Sequence, residues 1–390
     1  MHASQLQQLT ELLTCHRSLW WHSCYQNLNP DWLQTHQQLG GWLLALTDEQ
    51  VKTFEDDHDQ LINAASAWLP ELSALQSLWQ QPVTEAPLPK AINPRQFAHV
   101  PGRKLEQISQ FVAALPASNG RLLEWCSGKG HLGRMFALQH DATITSVEYD
   151  QQLCDDGAQL AQRSGVNQQM LCVDALSEAA SGTVIGQQRA VALHACGDLH
   201  LRLLALTRAA GTEQVAISPC CYHLTQMPRY RPLSGAGQAL DFEKSHLRLA
   251  VAQTSTAPLR VQRLRAQELS YRYGLQALLA DLLQAQPLPS FSKKVLSGEF
   301  SDFCHWAAGE LALSLPANAD FAGYLAQGKQ QWHRYRRLEL ARQLFRPAIE
   351  MALVLDRACY MEEGGYSVSL SRFCHARLTP RNILLFAVRH

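Results

Sequence analysis

The 390-residue chain predicts an α/β fold. Its core is a doubly wound parallel sheet with a C-terminal antiparallel hairpin, accompanied by a helical N-terminal domain and a helical insertion. Three observations predict this. Five short apolar runs follow one another: RLLEWC, TITSVEYD, QQMLCVDA, AVALHACG and QVAISPCC. Markers near their ends, Glu124, Glu148, Asp174, His194 and Pro219, are 24, 26, 20 and 25 residues apart, the length of a strand, a crossover helix and two loops. The first run leads into a glycine loop, LLEWCSGKGHLGR, Leu122 to Arg134. The last stretch, GGYSVSLSRFCHARLTPRNILLFAVRH, reads as strand, turn, strand, with Tyr366–Phe373 antiparallel to Ile383–Val388. Pure dinucleotide-binding sheets continue in parallel instead.

Residues 1–80 form the helical N-terminal domain. Leu39, Trp42, Leu43 and Leu46 make one apolar stripe, and Leu69, Leu72, Leu75 and Trp79 another. QPVTEAPLPKAINP, residues 81–94, has four prolines in fourteen residues. Proline fixes φ and lacks an N–H, so this stretch is a linker or extended strap. Residues 95–224 form the Rossmann-like core, residues 225–330 a helical insertion, and residues 331–390 a long helix, about Trp332 to Tyr360, with the hairpin that completes the core.

Composition narrows the class. Hydrophobic residues make up 46% and charged residues 17%, as in an ordinary globular protein. No apolar run reaches the roughly 18 residues of a membrane span, and the N-terminus does not read as a secretory signal. Eleven scattered cysteines without a CxxC pair read as reduced thiols of a cytoplasmic protein. Formal net charge is zero but unevenly spread. Residues 1–94 carry ten acids and three bases, whereas residues 225–350 carry sixteen bases and ten acids. That asymmetry suits a polyanionic partner, or solvated helix faces.

The glycine loop raises the question of its ligand. Gly128, Gly130 and Gly133 spell GxGxxG, which lets backbone approach a ligand in front of a helix N-terminus. A nicotinamide dinucleotide uses such a loop for pyrophosphate. S-adenosylmethionine has no phosphate, but its ammonium group suits a strand acid just before the glycines, which is Glu124. Glu148 would accept from ribose hydroxyls, and Asp174 with Ala175 would meet the adenine amino group. The three acids together favour S-adenosylmethionine.

HACGD, His194 to Asp198, ends the fourth run, and PCCYH, Pro219 to His223, ends the fifth. Ligands of open parallel sheets sit beyond the carboxyl ends of the strands, so fold alone brings these clusters together. His194 and His223 are candidate proton acceptors, with Asp198 beside them. Tyr222 is a candidate to stack a base or close the pocket. Cys220 or Cys221 is a candidate nucleophile where its thiolate is stabilised. The competing readings are buried wall cysteines and hydrogen-bonded structural histidines. Cys196, Cys220, Cys221 and His223 are zinc-ligand types, but adjacent cysteines rarely both reach one ion, so no metal site is assigned. Arg103, Lys104, Arg229, Tyr230 and Arg231 are candidate substrate contacts. LRVQRLRAQELSYRYG and WHRYRRLELARQLFR also interleave arginine with aromatics, as RNA binding needs and as a salt-bridged helix face would.

LLEWCSGKGHLGR, VALHACGDLH and ISPCCYH resemble motifs of the class I methyltransferase domain in the glutathione S-transferase C-terminal-domain-containing protein and its methyltransferase-like relatives. A more distant likeness is to the tRNA acceptor-stem 2′-O-methyltransferases. The resemblance covers about residues 95–225 and the last fifty. It implies an S-adenosylmethionine fold in which Glu124, Cys126, Gly128, Gly130, Glu148 and Asp174 contact the cofactor, with His194, Cys196 and Gly197 at its methionine side. Ser127, His131, Leu132, Tyr149 and Ala175 complete the candidate cofactor set. The expectation is a methyltransferase, with structured RNA, tRNA or rRNA, as substrate. The alternatives are a protein or small-molecule acceptor, or binding without catalysis.

Overall fold

The computed structural model describes residues 1–84, 86–252, 259–283, 287–288 and 290–390. Glu85 of the proline-rich stretch and parts of the expected insertion, including Pro289, lie outside the described residues. The chain divides into two compact units. The first contains Met1–Cys15, Ala74–Ala252 and Arg346–His390, and the second His16–Ser73 and Gln253–Phe345.

The first unit is built on seven strands: β1 (Arg121–Trp125), β2 (Thr143–Glu148), β3 (Gln168–Cys172), β4 (Arg189–Cys196), β5 (Gln214–Cys220), β6 (Tyr366–Arg372) and β7 (Ile383–Arg389). They form one sheet in the order β3-β2-β1-β4-β5-β7-β6, parallel from β1 to β5, with β7 antiparallel to both neighbours. This is the parallel sheet with a C-terminal antiparallel hairpin that the sequence predicts. The longer helices that accompany it are α1 (His2–Cys15), α2 (Gly102–Ala113), α3 (His131–His140), α4 (Gln151–Ser164), α5 (Asp198–Ala210) and α6 (Arg346–Glu362).

The strands are apolar on both faces because both faces are covered. Alternate residues divide the load. Leu122, Ile144, Val191 and Ala216 pack with Phe111, Met135 and Phe136 of α2 and α3. Leu123, Val147, Ala190, Ala192 and Val215 pack with Leu203, Leu204 and Met361 of α5 and α6. One crossover departs from expectation. Between β3 and β4 stands a short 3₁₀ turn, Glu178–Val184, where the spacing of 20 residues leaves little room for a covering α-helix.

The expected division of the chain differs from the observed one in three places. Residues 1–80 are split, because α1 packs Leu6, Leu9, Leu12 and Leu13 with α6 in the first unit. Residues 225–252 of the expected insertion also stay with the first unit, where Tyr230 N–H donates to Phe242 O at 2.8 Å. The single long helix expected from Trp332 to Tyr360 is two helices, Phe321–Gln343 and α6. Pro347 has no N–H to return to the Gln343 carbonyl, which accepts from His58 Nε2 at 2.9 Å instead. The proline-rich stretch is a strap: Arg372 N–H donates to Pro82 O and Thr84 N–H to Arg372 O, both at 2.7 Å.

The second unit is helical. Leu259–Asp281 and Phe321–Gln343 approach at backbone distance, and a Cβ on Gly328 would stand 2.2 Å from Ser270 O. Tyr271, Phe300 and Phe303 anchor its apolar core. Its charges are answered internally. Arg336 pairs with Glu55 at 2.6 Å, Arg337 with Asp48 at 2.9 Å and Arg342 with Glu339 at 3.2 Å. Arg336, Arg337 and Arg342 of WHRYRRLELARQLFR therefore bind this unit's own acids, as the salt-bridged reading of that segment expects.

Candidate cofactor and acceptor site

The site lies at the carboxyl ends of β1 to β5, within the first unit. The loop after β1 turns through left-handed conformations at Cys126 (φ 54), Gly128 (φ 58) and Gly130 (φ 66). Gly130 also lies under Gln168, whose Nε2 would be 2.4 Å from an added Cβ. Glycine is required there by conformation and by space.

Glu124 does not face the rim. It shares the face of Leu122, the one α3 covers, and it is 3% exposed. Its Oε2 accepts from Ser146 Oγ at 2.7 Å and from Gln168 Nε2 at 3.5 Å. Burial pushes its pKa up to about 7 against the hydrogen bond from Ser146. The expected direct contact of Glu124 with an ammonium group is thus corrected: its carboxylate lies buried beneath the α3 N-terminus, beside Gly133. His131 and Leu132, expected at the cofactor, turn inward. His131 Nδ1 meets Arg134 Nη2 at 2.9 Å, and burial, with Arg134 next, drives its pKa to about 3.

Glu148 does stand at the rim. Its carboxylate accepts from the N–H groups of Gly128 (2.8 Å), Tyr149 (3.0 Å) and Asp150 (3.2 Å). Three bonds leave about one of its four lone-pair sites for a further donor such as a ribose hydroxyl. Tyr149 is 75% exposed, with its ring open to a planar ligand. Asp174 is exposed and accepts from Leu176 N–H at 2.9 Å, while Ala175 is buried against Val147 and Trp125. Cys126 shows that these strand ends converge. Burial pushes its thiol up to about 12, and Glu148, Cys196 and Asp174 all lie close enough to push further. Ser127 continues the loop, its N–H donating to Val147 O at 2.9 Å.

At the other end, β4 and β5 slip register between Leu193 and Cys196, and His194 is left-handed (φ 69). His194 Nε2 meets Gln107 Oε1 at 3.1 Å. Its pKa is lowered by the crowding of its ring, then by Lys104 and Arg381. His223 is lowered by burial, then by Arg248, Lys244 and Arg381, and its buried Nδ1 has no hydrogen-bond partner. Gly197 (φ 56) has no room for a side chain, since a Cβ would lie 1.8 Å from Leu224 O. Asp198, expected beside the chemistry, accepts from Gln226 N–H at 2.9 Å and so positions the loop after β5.

Three further expectations are corrected. Tyr222 is 3% exposed beneath the Arg357 guanidinium, 5.0 Å from its ring centroid, so it stacks no ligand. Cys220 and Cys221 have raised pKa values, Cys220 chiefly through its hydrogen bond with Cys196 and Cys221 through burial; that bond instead brings Cys196 down to about 6. Arg229 is paired with Asp241, and the Tyr230 hydroxyl donates to the buried Asp356. Arg103 donates to Leu378 O at 2.7 Å, whereas Lys104 reaches the site and Arg231 stands exposed. Sequence reading missed Gln107, Lys244, Arg248 and Arg381. Lys244 and Arg248 share one turn of a short helix with the spacing of a polar face, the only sign they gave.

Residues 103–228 match the model of a methyltransferase domain. Similar solved structures are a TehB-like SAM-dependent methyltransferase from Corynebacterium glutamicum (16% identity, 32% of this chain and 66% of that one, TM-score 0.25) and a SAM-dependent methyltransferase from Agrobacterium tumefaciens (14%, 32% and 45%, TM-score 0.22). The 23S rRNA methyltransferase ErmE is another, at 14% identity over 60% of this chain and 97% of that one, TM-score 0.24. The chain spans less than two thirds of the first two, and these likenesses are too distant to carry function. The matched segment is similar to a methyltransferase domain, a class whose usual methyl donor is S-adenosylmethionine. The residues fit that cofactor: Glu148 has acceptor capacity to spare, and Tyr149 offers a ring.

Proposed function

We propose that the protein transfers a methyl group from S-adenosylmethionine to an amine or hydroxyl of structured RNA, a tRNA or rRNA. One observation carries the choice of acceptor. His194 and His223, at the acceptor end of the sheet, have pKa values lowered first by desolvation of their rings and then by Lys104, Lys244, Arg248 and Arg381. Cations grouped around uncharged imidazoles attract a phosphate backbone while leaving a proton acceptor in place.

Bound S-adenosylmethionine supplies a sulfonium whose methyl carbon is open to displacement. Glu148 would accept from its ribose, Tyr149 would cover its adenine, and Asp174 with Ala175 would meet the adenine edge. Cys126, Ser127, Gly128 and Gly130 would lay backbone along it, and His194, Cys196 and Gly197 would line the methionine side. Holding the acceptor in line would do most of the work, and the imidazole of His223 would take the acceptor proton.

The test offers labelled methyl donor to cellular RNA, protein and small molecules. Label should enter RNA. His223→Ala should keep its cofactor affinity by calorimetry while transfer falls about 100-fold or more. Label found only in protein or metabolites would overturn the RNA acceptor, and full turnover by His223→Ala would remove that proton acceptor.

A further inference from the structure

Consecutive residues of an extended strand point to opposite faces, so Cys220 and Cys221 ought not to share a ligand. The backbone defeats that rule here. β5 ends at Cys220, and Cys221 comes next in a left-handed conformation (φ 44), which turns its side chain back. On the neighbouring strand, the register slip after Leu193 sets Cys196 opposite Cys220. The Sγ atoms of Cys196 and Cys220 are 3.2 Å apart, and those of Cys196, Cys220 and Cys221 all lie within 4.8 Å of one another. Among the described residues this is the one group of three or more metal-ligand side chains so arranged.

We propose that Cys196, Cys220 and Cys221 bind one zinc ion through three thiolates, leaving the fourth position to water or to the methyl acceptor. Tetrahedral zinc with Zn–S bonds of about 2.3 Å sets its sulfurs roughly 3.8 Å apart, a spacing that lies between the 3.2 Å of Cys196 and Cys220 and the 4.8 Å within which all three sulfurs fall. Thiolate is also the softer ligand that favours zinc over magnesium or calcium. Cys220 is buried while Cys196 and Cys221 are half-buried, so the ion has a path in and a side facing out. Three protein ligands with an open fourth position is the pattern of a zinc ion that meets substrate; closed structural sites use four. Left-handed non-glycine residues cost about 1–3 kcal/mol each and persist where the surroundings hold them. Cys221 and His194, one on each strand, are two of these. The inference is independent of which acceptor the protein methylates.

The experiment needs no transfer assay. Protein purified under reducing conditions without chelator is analysed for metal content. The chelator-stripped protein is then titrated with cobalt(II). One zinc per chain is expected, with an intense sulfur-to-cobalt absorption on titration. Cys196→Ser and Cys221→Ser should each weaken metal affinity by more than about 100-fold, beyond the usual cost of losing an outer-shell contact. Cys15→Ser, at an exposed thiol in α1, should change nothing. If a variant fails to fold, zinc should protect Cys196 and Cys221 of the native protein from alkylation. Three results would each overturn the site: no stoichiometric metal and no cobalt band, a band that survives loss of Cys221, or a Cys196–Cys220 disulfide whose reduction yields no metal affinity.

Discussion

The helix Phe321–Gln343 carries Arg334, Arg336, Arg337 and Arg342, and the acceptor end of the sheet carries Lys104, Lys244, Arg248 and Arg381. The two sets are equal in charge and opposite in fate. The first faces Glu55, Asp48, Glu339 and the carbonyl of Leu28. In the second, Lys104, Lys244 and Arg248 have no carboxylate ion pair among the described residues, and the field of all four falls on imidazoles. Basic residues counted along a chain do not mark a binding surface. Which of them lack an acid opposite does.

The largest effect expected from breaking this contrast is at two glycines, one in each unit. Gly197→Ala forces a Cβ against the Leu224 carbonyl in a left-handed residue, so transfer should fall at least about 100-fold and stability by about 3 kcal/mol. Gly328→Ala meets Ser270 O just as tightly, but should cost stability alone, with cofactor affinity by calorimetry unchanged. Equal loss of cofactor binding in both would dissolve the distinction.

A smaller effect separates the two sets of cations by salt. Replacing Lys104 and Arg248 with Gln should lower the slope of log affinity for RNA against log salt by roughly 1.5. Replacing Arg336 and Arg337 with Gln should leave that slope alone and cost about 1 kcal/mol in thermal unfolding. If the slopes change in the opposite order, the contact surface lies on the second unit.

The smallest effect is on pH. His223 is depressed below the usual value of about 6.5, so a transfer rate that depends on its neutral form should stay flat as pH falls through 6.5 and decline only below it. Because the unfolded chain takes up that proton first, the stability due to the neutral ring is present above 6.5 and diminishes as pH falls. Arg248→Gln should move the acid limb of the rate profile upward by a fraction of a unit. A limb at or above 6.5 in the native protein would show that another group titrates.

The parallel strands and the hairpin were legible because they are local. Each strand is an apolar run bounded by turn residues, and Tyr366–Arg372 and Ile383–Arg389 fall within a residue of their expected bounds. Glu148 was legible by its place at the end of β2. The direction of Glu124 was also present in the alternation with Leu122, though the GxGxxG spacing drew attention to the loop instead. Arg381 was not legible. It reaches His194 and His223 only because β7 inserts beside β5, a pairing between distant segments. Nor was the meeting of Cys220 with Cys221, since φ at residue 221 is set by the path of the loop leaving β5 and not by the dipeptide itself.

β5 takes its outer neighbour from the far end of the chain, with Gln214 opposite Val388 and Ile217 opposite Leu385. During synthesis the parallel half of the sheet therefore emerges with one flank bare, and the whole second unit is made before β7 can close it. Nascent chains stalled ahead of Ile383 would display a row of unsatisfied amides and carbonyls beside apolar side chains, the surface to which a holding chaperone or a second nascent chain adheres.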